Sequence, residues 1–138
     1  MEVARLKRYK DKLSHISHRQ EQVGDWLGRV GREDDVYILA TYKAFQEMAE
    51  AAMDIIAMIV RDCDETPKDD YANIDFVVRK GIIKPKTADV LRQANGLRNR
   101  LVHAYNGLDE RRAHSSIVEL LNHFEEFCDA VSAWLEKQ

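Results

Sequence analysis

Apolar side chains recur every three or four residues along most of this chain, which is the spacing of an amphipathic helix. Between residues 2 and 27 they form one stripe, which a pair of glycines ends. A second stripe runs from about Glu33 to Asp64, and its expected inner face begins at Val36 and Leu39. No segment alternates apolar and polar residues with the period of two that is typical of strands. The first half of the chain therefore predicts two long helices.

Proline and glycine divide the second half into three further helices. Pro67 ends the long second helix, and a short helix follows over about Tyr71 to Arg79, with Gly81 as its expected C-terminal stop. A fourth helix is predicted over about Pro85 to Tyr105, because proline suits the first turn of a helix. The last helix is expected over about Asp109 to Leu135.

Composition is consistent with this interpretation. The 138 residues are 45% hydrophobic and include only two prolines and six glycines, which favours helices in one domain of ordinary size. Short connections make successive helices antiparallel neighbours. We expect an all-α protein in which residues 1–138 form a single domain, an antiparallel bundle of about five helices.

Charge is distributed unevenly. The formal net charge is −3, which argues against a surface coated with positive charge for nonspecific binding to duplex nucleic acid. Residues 92–112 are the exception, because this segment contains five arginines and only two acidic residues, Asp109 and Glu110. Positive charge is therefore concentrated in one segment of an otherwise acidic chain.

Metal, disulfide and membrane signals are weak. Cys63 and Cys128 are far apart in the sequence, which favours buried reduced thiols over a disulfide framework or a zinc site. His15 and His18 have a helical spacing, but no carboxylate or thiol at a fitting position completes a set of ligands. No apolar run reaches the length of a signal peptide or a membrane span. We expect a cytoplasmic protein without a metal or cofactor.

The segment "LRNRLVHAYNGLD" combines an apolar stripe with a separate polar seam on the fourth predicted helix. Asn99 and His103 are four residues apart, so the amide can reach the imidazole and orient it. Arg98 lies about 140° from His103 around an ideal helix. The two can meet at one ligand if the arginine bends around the helix, if the last turn loosens, or if a second chain completes the site. Alternatively, His103 and Arg100 serve only as cations at a helix C-terminus.

The wider stretch "KGIIKPKTADVLRQANGLRNRLVHAYNGLD" resembles the HEPN superfamily, and specifically the HepT-like toxins of prokaryotic toxin–antitoxin pairs. Their pattern is an arginine, a polar residue, three further residues, a histidine, any residue and a tyrosine. Arg98, Asn99, His103 and Tyr105 match it position by position. The similarity is strong over residues 71–112, whereas the first 64 residues match only in helical character.

The resemblance implies a HEPN-like bundle that forms a homodimer with the motif helices facing each other. It also implies a metal-independent endoribonuclease toxin, acting on RNA at the dimer cleft. The implied partner is a minimal nucleotidyltransferase, which acts as the antitoxin and would transfer AMP from ATP onto Tyr105. Without the resemblance, Tyr105 would be interpreted as an aromatic residue of an interface.

Ribonuclease chemistry assigns a role to each motif residue. A histidine ordinarily titrates near pH 6.5, so His103 can take the proton from a ribose 2′-OH. Arg98 offers a planar set of donors to the phosphate under attack, and Asn99 can orient either partner. The candidates for RNA backbone binding are Arg92, Arg100, Arg111 and Arg112, although an exposed arginine is often only solvated. The alternative is a non-catalytic HEPN module that binds RNA, a nucleotide or a nucleotidyltransferase.

Overall fold

The computed structural model describes residues 1–29, 35–104 and 106–138. Six α-helices and no strand occur within these ranges, which confirms the predicted all-α, single-domain fold. None of these helices is both long and apolar enough to cross a membrane. In chain order the helices are α1 (Val3–Leu27), α2 (Asp35–Asp62), α3 (Asp70–Arg79), α4 (Pro85–Val102), α5 (Glu110–Leu121) and α6 (Phe124–Glu136).

The last predicted helix is two helices in the structure. Asn122 and His123 separate α5 from α6, although both keep right-handed helical backbone angles. The backbone N–H of His123 donates to the carbonyl of Leu120 at 3.1 Å. This bond reaches the third preceding residue and so makes a tighter turn than the usual helical bond to the fourth preceding residue. The apolar periodicity of the sequence continues through Asn122 and His123, so it does not predict the break between α5 and α6.

The long helices α1 and α2 pack together and supply much of the core. Tyr9, Ile16 and Val23 are fully buried and lie seven residues apart, on one face of α1. The prediction was wrong at the start of α2, where Val36 and Leu39 are 63% and 66% exposed. The helical period explains the difference, because the buried face of α2 includes Thr41, Ala44, Phe45 and Met48, and its backward extension passes between those two positions.

Aromatic contacts fasten α6 to the first two helices. The rings of Phe45 and Phe124 meet edge to face with centroids 5.8 Å apart, and those of Tyr9 and Trp134 do the same at 5.8 Å. The hydroxyl of Tyr9 donates to Asp62 Oδ2 at 2.6 Å, which satisfies the polar end of a fully buried side chain. Burial raises the pKa of Tyr9 far above its usual value.

Local sequence signals mark both ends of α3 and the start of α4. The carboxylate of Asp69 accepts a hydrogen bond from the backbone N–H of Ala72 and so caps α3, while Gly81 follows that helix with φ +72°. Pro85 occupies the first turn of α4. Asp35 is the first helical residue of α2, and residues 30–34 before it lie outside the described part of the chain.

Both cysteines are free, as predicted, and each is half-buried. Burial raises the pKa of the Cys128 thiol to about 11 and raises that of Cys63 as well. A raised pKa lowers the fraction of reactive thiolate at both cysteines near neutral pH.

Candidate functional site

A cleft of about 620 Å³ opens between the end of α4 and the start of α5. It brings together one histidine, two arginines and two amide side chains. An acidic residue, Asp109, lies at its edge and caps α5 by accepting from the backbone N–H of Arg112 at 3.2 Å. The polar residues that line the cleft are Asn99, Arg100, His103, Asn106, Asp109, Arg112 and Ser116.

His103 is where the helix α4 ends. The helix stops at Val102, three residues before the predicted end, and His103 takes the C-cap position with φ −109° and ψ 35°. Its backbone N–H donates to the carbonyl of Arg100 at 3.2 Å, and its side chain is exposed in the cleft. His103 therefore has a capping role through its backbone and remains a candidate for chemistry through its imidazole.

Asn99 and His103 line the same cleft, one helical turn apart. The side chains of Arg100 and Arg112 are exposed and line it too, from α4 and α5 respectively. This arrangement places a potential proton acceptor beside two cations, and it can accommodate a phosphodiester group.

Arg98 is not among the residues that line the cleft, and its guanidinium turns toward α2 and α3. Its Nη2 donates to Asn95 Oδ1 at 2.9 Å and to Asp70 Oδ2 at 3.4 Å, while Nη1 lies 3.7 Å from Glu50 Oε1. The Arg98 side chain is 22% exposed, and its Nε is buried without a hydrogen-bond partner. Arg98 and His103 thus face different surroundings in one chain.

Sequence analysis did not identify these partners of Arg98. Asn95 precedes Arg98 by three residues on the same helix, and this spacing was the one signal that could have found it. Glu50 and Asp70 belong to α2 and α3, so their proximity depends on how the helices pack, which no local pattern encodes.

The other predicted arginines differ in their surroundings. Arg92 is engaged by two carboxylates, Asp75 at 2.6 Å and Asp89 at 2.8 Å, and it does not line the cleft. Arg111 is exposed on the first turn of α5 but is not among the lining residues either. Of the four arginines proposed for RNA binding, the cleft unites Arg100 and Arg112.

Two further residues of this segment are Tyr105 and Gly96. Tyr105, the predicted site of modification, lies outside the described residues. A Cβ built at Gly96 would meet the side chains of Arg100 and Tyr71 at 3.7 and 4.0 Å. Within the described part of the chain, no backbone from another element approaches Gly96 more closely than these side chains.

The histidine pair on α1 does not assemble a metal site. His15 Nε2 lies 3.3 Å from Glu47 Oε1, on the neighbouring helix. Across residues 1–29, 35–104 and 106–138, no group of three or more His, Cys, Asp or Glu side chains has a placement suited to a metal ion.

Comparisons with known proteins identify the family of the chain. The chain matches the family described as "Ribonuclease HepT-like" over residues 6–131. It is 33% identical over 133 residues to a protein of Archaeoglobus fulgidus named "Putative RNase", covering 96% of this chain and 97% of that protein. It is 24% identical over 133 residues to the "tRNA nuclease HepT" of Aphanizomenon flos-aquae, covering 87% and 89% of the two chains.

The fold is similar to that of a solved HEPN toxin from Shewanella oneidensis, which is tri-AMPylated and in complex with an MNT antitoxin. The TM-score is 0.83 at 22% identity, and the match covers 96% of this chain and 99% of the toxin. These similarities confirm the family resemblance that the motif residues predicted. The chain belongs to the HepT-like ribonuclease family.

Proposed function

We propose that this protein is a metal-independent endoribonuclease toxin that cleaves RNA at a cleft formed where two copies of the chain meet. The observation that carries the proposal is the cleft between α4 and α5, which unites His103 and Asn99 with two arginines. Cleavage of RNA through its own 2′-hydroxyl needs a group that accepts the hydroxyl proton and cations that stabilise negative charge on the phosphate. A histidine beside arginines supplies both.

His103 takes the proton from a ribose 2′-OH, and the resulting oxygen attacks the adjacent phosphorus. The bond from phosphorus to the 5′-oxygen breaks, and that oxygen takes up a proton as it leaves. Asn99 lies one turn from His103 and orients the imidazole. Arg100 and Arg112 hold the RNA backbone at the cleft, with Arg111 beside them. Arg92 contributes less, because two carboxylates already neutralise it.

Arg98 supplies positive charge to the phosphate as negative charge builds up on its oxygens. In one chain its guanidinium points toward Glu50 and Asp70 rather than into the cleft. A second copy with its motif helix opposite the first would bring a different face of α4 to the same cleft. The homodimer is therefore part of this proposal.

A minimal nucleotidyltransferase antitoxin is the proposed partner. Support comes from the family motif at Arg98 to Tyr105 and from the solved relative, which is AMPylated and bound to an MNT antitoxin. In this reaction the phenol oxygen of Tyr105 attacks the α-phosphate of ATP, and pyrophosphate leaves. The added phosphate then competes with RNA for the arginines.

The test of ribonuclease activity uses purified protein, labelled RNA and EDTA. We expect cleavage that EDTA does not change, and we expect His103→Ala and Arg98→Ala each to abolish it while the oligomeric state stays as in the wild type. His18→Ala is the matched control, since His18 is an exposed histidine on α1, and it should retain full activity. No cleavage by the wild type, or full activity of His103→Ala, would refute the proposal.

The test of modification is mass spectrometry after incubation with a minimal nucleotidyltransferase and ATP. We expect the mass of AMP to be added on the peptide that contains Tyr105 and to disappear in Tyr105→Phe. Addition elsewhere, or none, would remove this part of the proposal.

A non-catalytic HEPN module that binds RNA, a nucleotide or a nucleotidyltransferase is the second candidate. The two carboxylates near Arg98 favour it, because they compete with phosphate for the guanidinium that cleavage would need. This candidate predicts that RNA binds at the cleft and is not cut.

A further inference from the structure

Asn95 is a polar residue in the interior of α4, where an apolar side chain would ordinarily pack. It is 1% exposed, and burying an amide is unfavourable unless it forms hydrogen bonds. A second buried asparagine, Asn73, uses its side chain to bind the backbone of Lys68 in the turn before α3. Asn95 instead accepts from a side chain, the guanidinium of Arg98, at 2.9 Å.

This contact fixes one end of the guanidinium. The Nη2 group of an arginine carries two protons, and here they are directed at two acceptors, Asn95 Oδ1 at 2.9 Å and Asp70 Oδ2 at 3.4 Å. The hydrogen bond to Asn95 is the shorter of the two. Asn95 is also buried, whereas the Asp70 side chain is 36% exposed. A buried acceptor on the same helix is the more rigid anchor.

The opposite end of the guanidinium remains available. The Nη1 group lies 3.7 Å from Glu50 Oε1, which is too long for a hydrogen bond. Glu50 Oε1 also accepts from Gln46 Nε2 at 3.0 Å, so it retains a partner if Arg98 turns to another anion. A phosphate can replace Glu50 at Nη1 while Asn95 keeps Nη2 in place.

We propose that Asn95 is a positioning residue, which holds the Nη2 edge of Arg98 so that the Nη1 edge meets the phosphate. The inference rests on the proposed ribonuclease function, in which Arg98 stabilises charge at phosphorus. An arginine side chain has four rotatable bonds, and fixing them beforehand removes an entropic barrier from the reaction. Asn95 acts through Arg98 and does not touch RNA.

Asn95→Leu tests the proposal, because leucine has the same branching and the same number of side-chain heavy atoms but lacks the acceptor. We expect kcat to fall about tenfold, as for loss of one hydrogen bond to a charged group, with KM within about twofold of the wild type. RNA binding stays because Arg100 and Arg112 provide it. Asn95→Asp keeps the acceptor oxygen and should restore most of kcat.

Thr87→Val is the matched control, since Thr87 is a buried polar residue of α4 that lies more than two turns before Asn95. It should leave kcat unchanged. A loss of kcat in Thr87→Val equal to that in Asn95→Leu would show a general effect of altering α4, and unchanged kcat in Asn95→Leu would overturn the proposal.

A second measurement does not depend on activity. Slow rotation about the Nε–Cζ bond gives separate ¹⁵N signals for the two Nη groups of a fixed arginine. We expect separate signals for Arg98 in the wild type and merged signals in Asn95→Leu, with exposed Arg100 as the mobile reference in both. If the Arg98 signals are already merged in the wild type, positioning by Asn95 is refuted. If they are separate and no RNA is cut, the ribonuclease proposal fails while the anchoring of Arg98 stands.

Discussion

The salt dependence of RNA binding is the sharpest test of which arginines form the binding surface. In the described part of the chain neither Arg100 nor Arg112 forms an ion pair, whereas Arg92 forms two. Each phosphate that a free cation neutralises on a single strand contributes about −0.7 to the slope of log K against log salt. Replacing both cleft arginines with glutamine should therefore make the slope less negative by about 1.4 per site.

The assay is fluorescence anisotropy with labelled single-stranded RNA, in a His103→Ala background that prevents cleavage. Between 50 and 200 mM salt, the parent should lose about sevenfold more affinity than the double variant. The salt concentration rises about fourfold, and a difference in slope of about 1.4 converts this into a factor of about 4 to the power 1.4. The ratio is independent of protein stability as long as both proteins stay folded, which circular dichroism establishes.

Arg92→Gln is the matched control for each single replacement in the cleft, since it also removes one positive charge and lies on α4, the helix that carries Arg100. Its guanidinium is occupied by Asp75 and Asp89, so we expect the slope to stay unchanged. An equal change of slope in Arg92→Gln and Arg112→Gln would mean that RNA responds to overall charge and not to the cleft. An unchanged slope in the double variant would remove the cleft from the path of the RNA.

Three further predictions follow from individual contacts. Tyr9→Phe removes the hydrogen bond to Asp62 and should lower the free energy of unfolding by about 1–2 kcal/mol in urea titrations; no change would mean that the buried hydroxyl contributes nothing. Glu50→Gln removes one carboxylate near Arg98 and should raise RNA affinity roughly twofold to fivefold by anisotropy, and a decrease would contradict displacement by phosphate. Cys128, with its pKa raised to about 11, should react with iodoacetamide at pH 8 at least about tenfold more slowly than in the urea-unfolded chain, and equal rates would show that its burial is not maintained.

Local signals predicted the helices well because they arise within a few residues of each other. The apolar period located the two long helices, and Asp69, Gly81 and Pro85 marked ends and beginnings through their own backbone and side-chain preferences. The family motif predicted Asn99 and His103 as site residues, and both line one cleft in the structure.

Predictions that depended on packing between helices were less complete. Val36 and Leu39 were expected in the core because both are apolar, but the helical period of the buried face of α2 passes between them and leaves both exposed. Nor could the sequence pattern show that Arg92 forms ion pairs while Arg112 forms none with the described residues, since Asp75 reaches Arg92 from another helix. Helix-wheel geometry also assumed that α4 continues to Tyr105, whereas the helix ends at Val102.

The position of Arg98 bears on why two copies of the chain are proposed. To reach the cleft of its own chain, Arg98 would have to leave both acceptors of its Nη2 group, including the buried amide of Asn95. A buried amide left without its partner costs about 1–3 kcal/mol, which would oppose binding at every turnover. If the cleft instead receives Arg98 from a second copy, the anchor stays intact and only the weaker contact with Glu50 is exchanged for phosphate. The anchoring of Arg98 therefore supports the proposal that two chains assemble the site, and losing the contact with Asn95 should impair the chemistry before it impairs RNA binding.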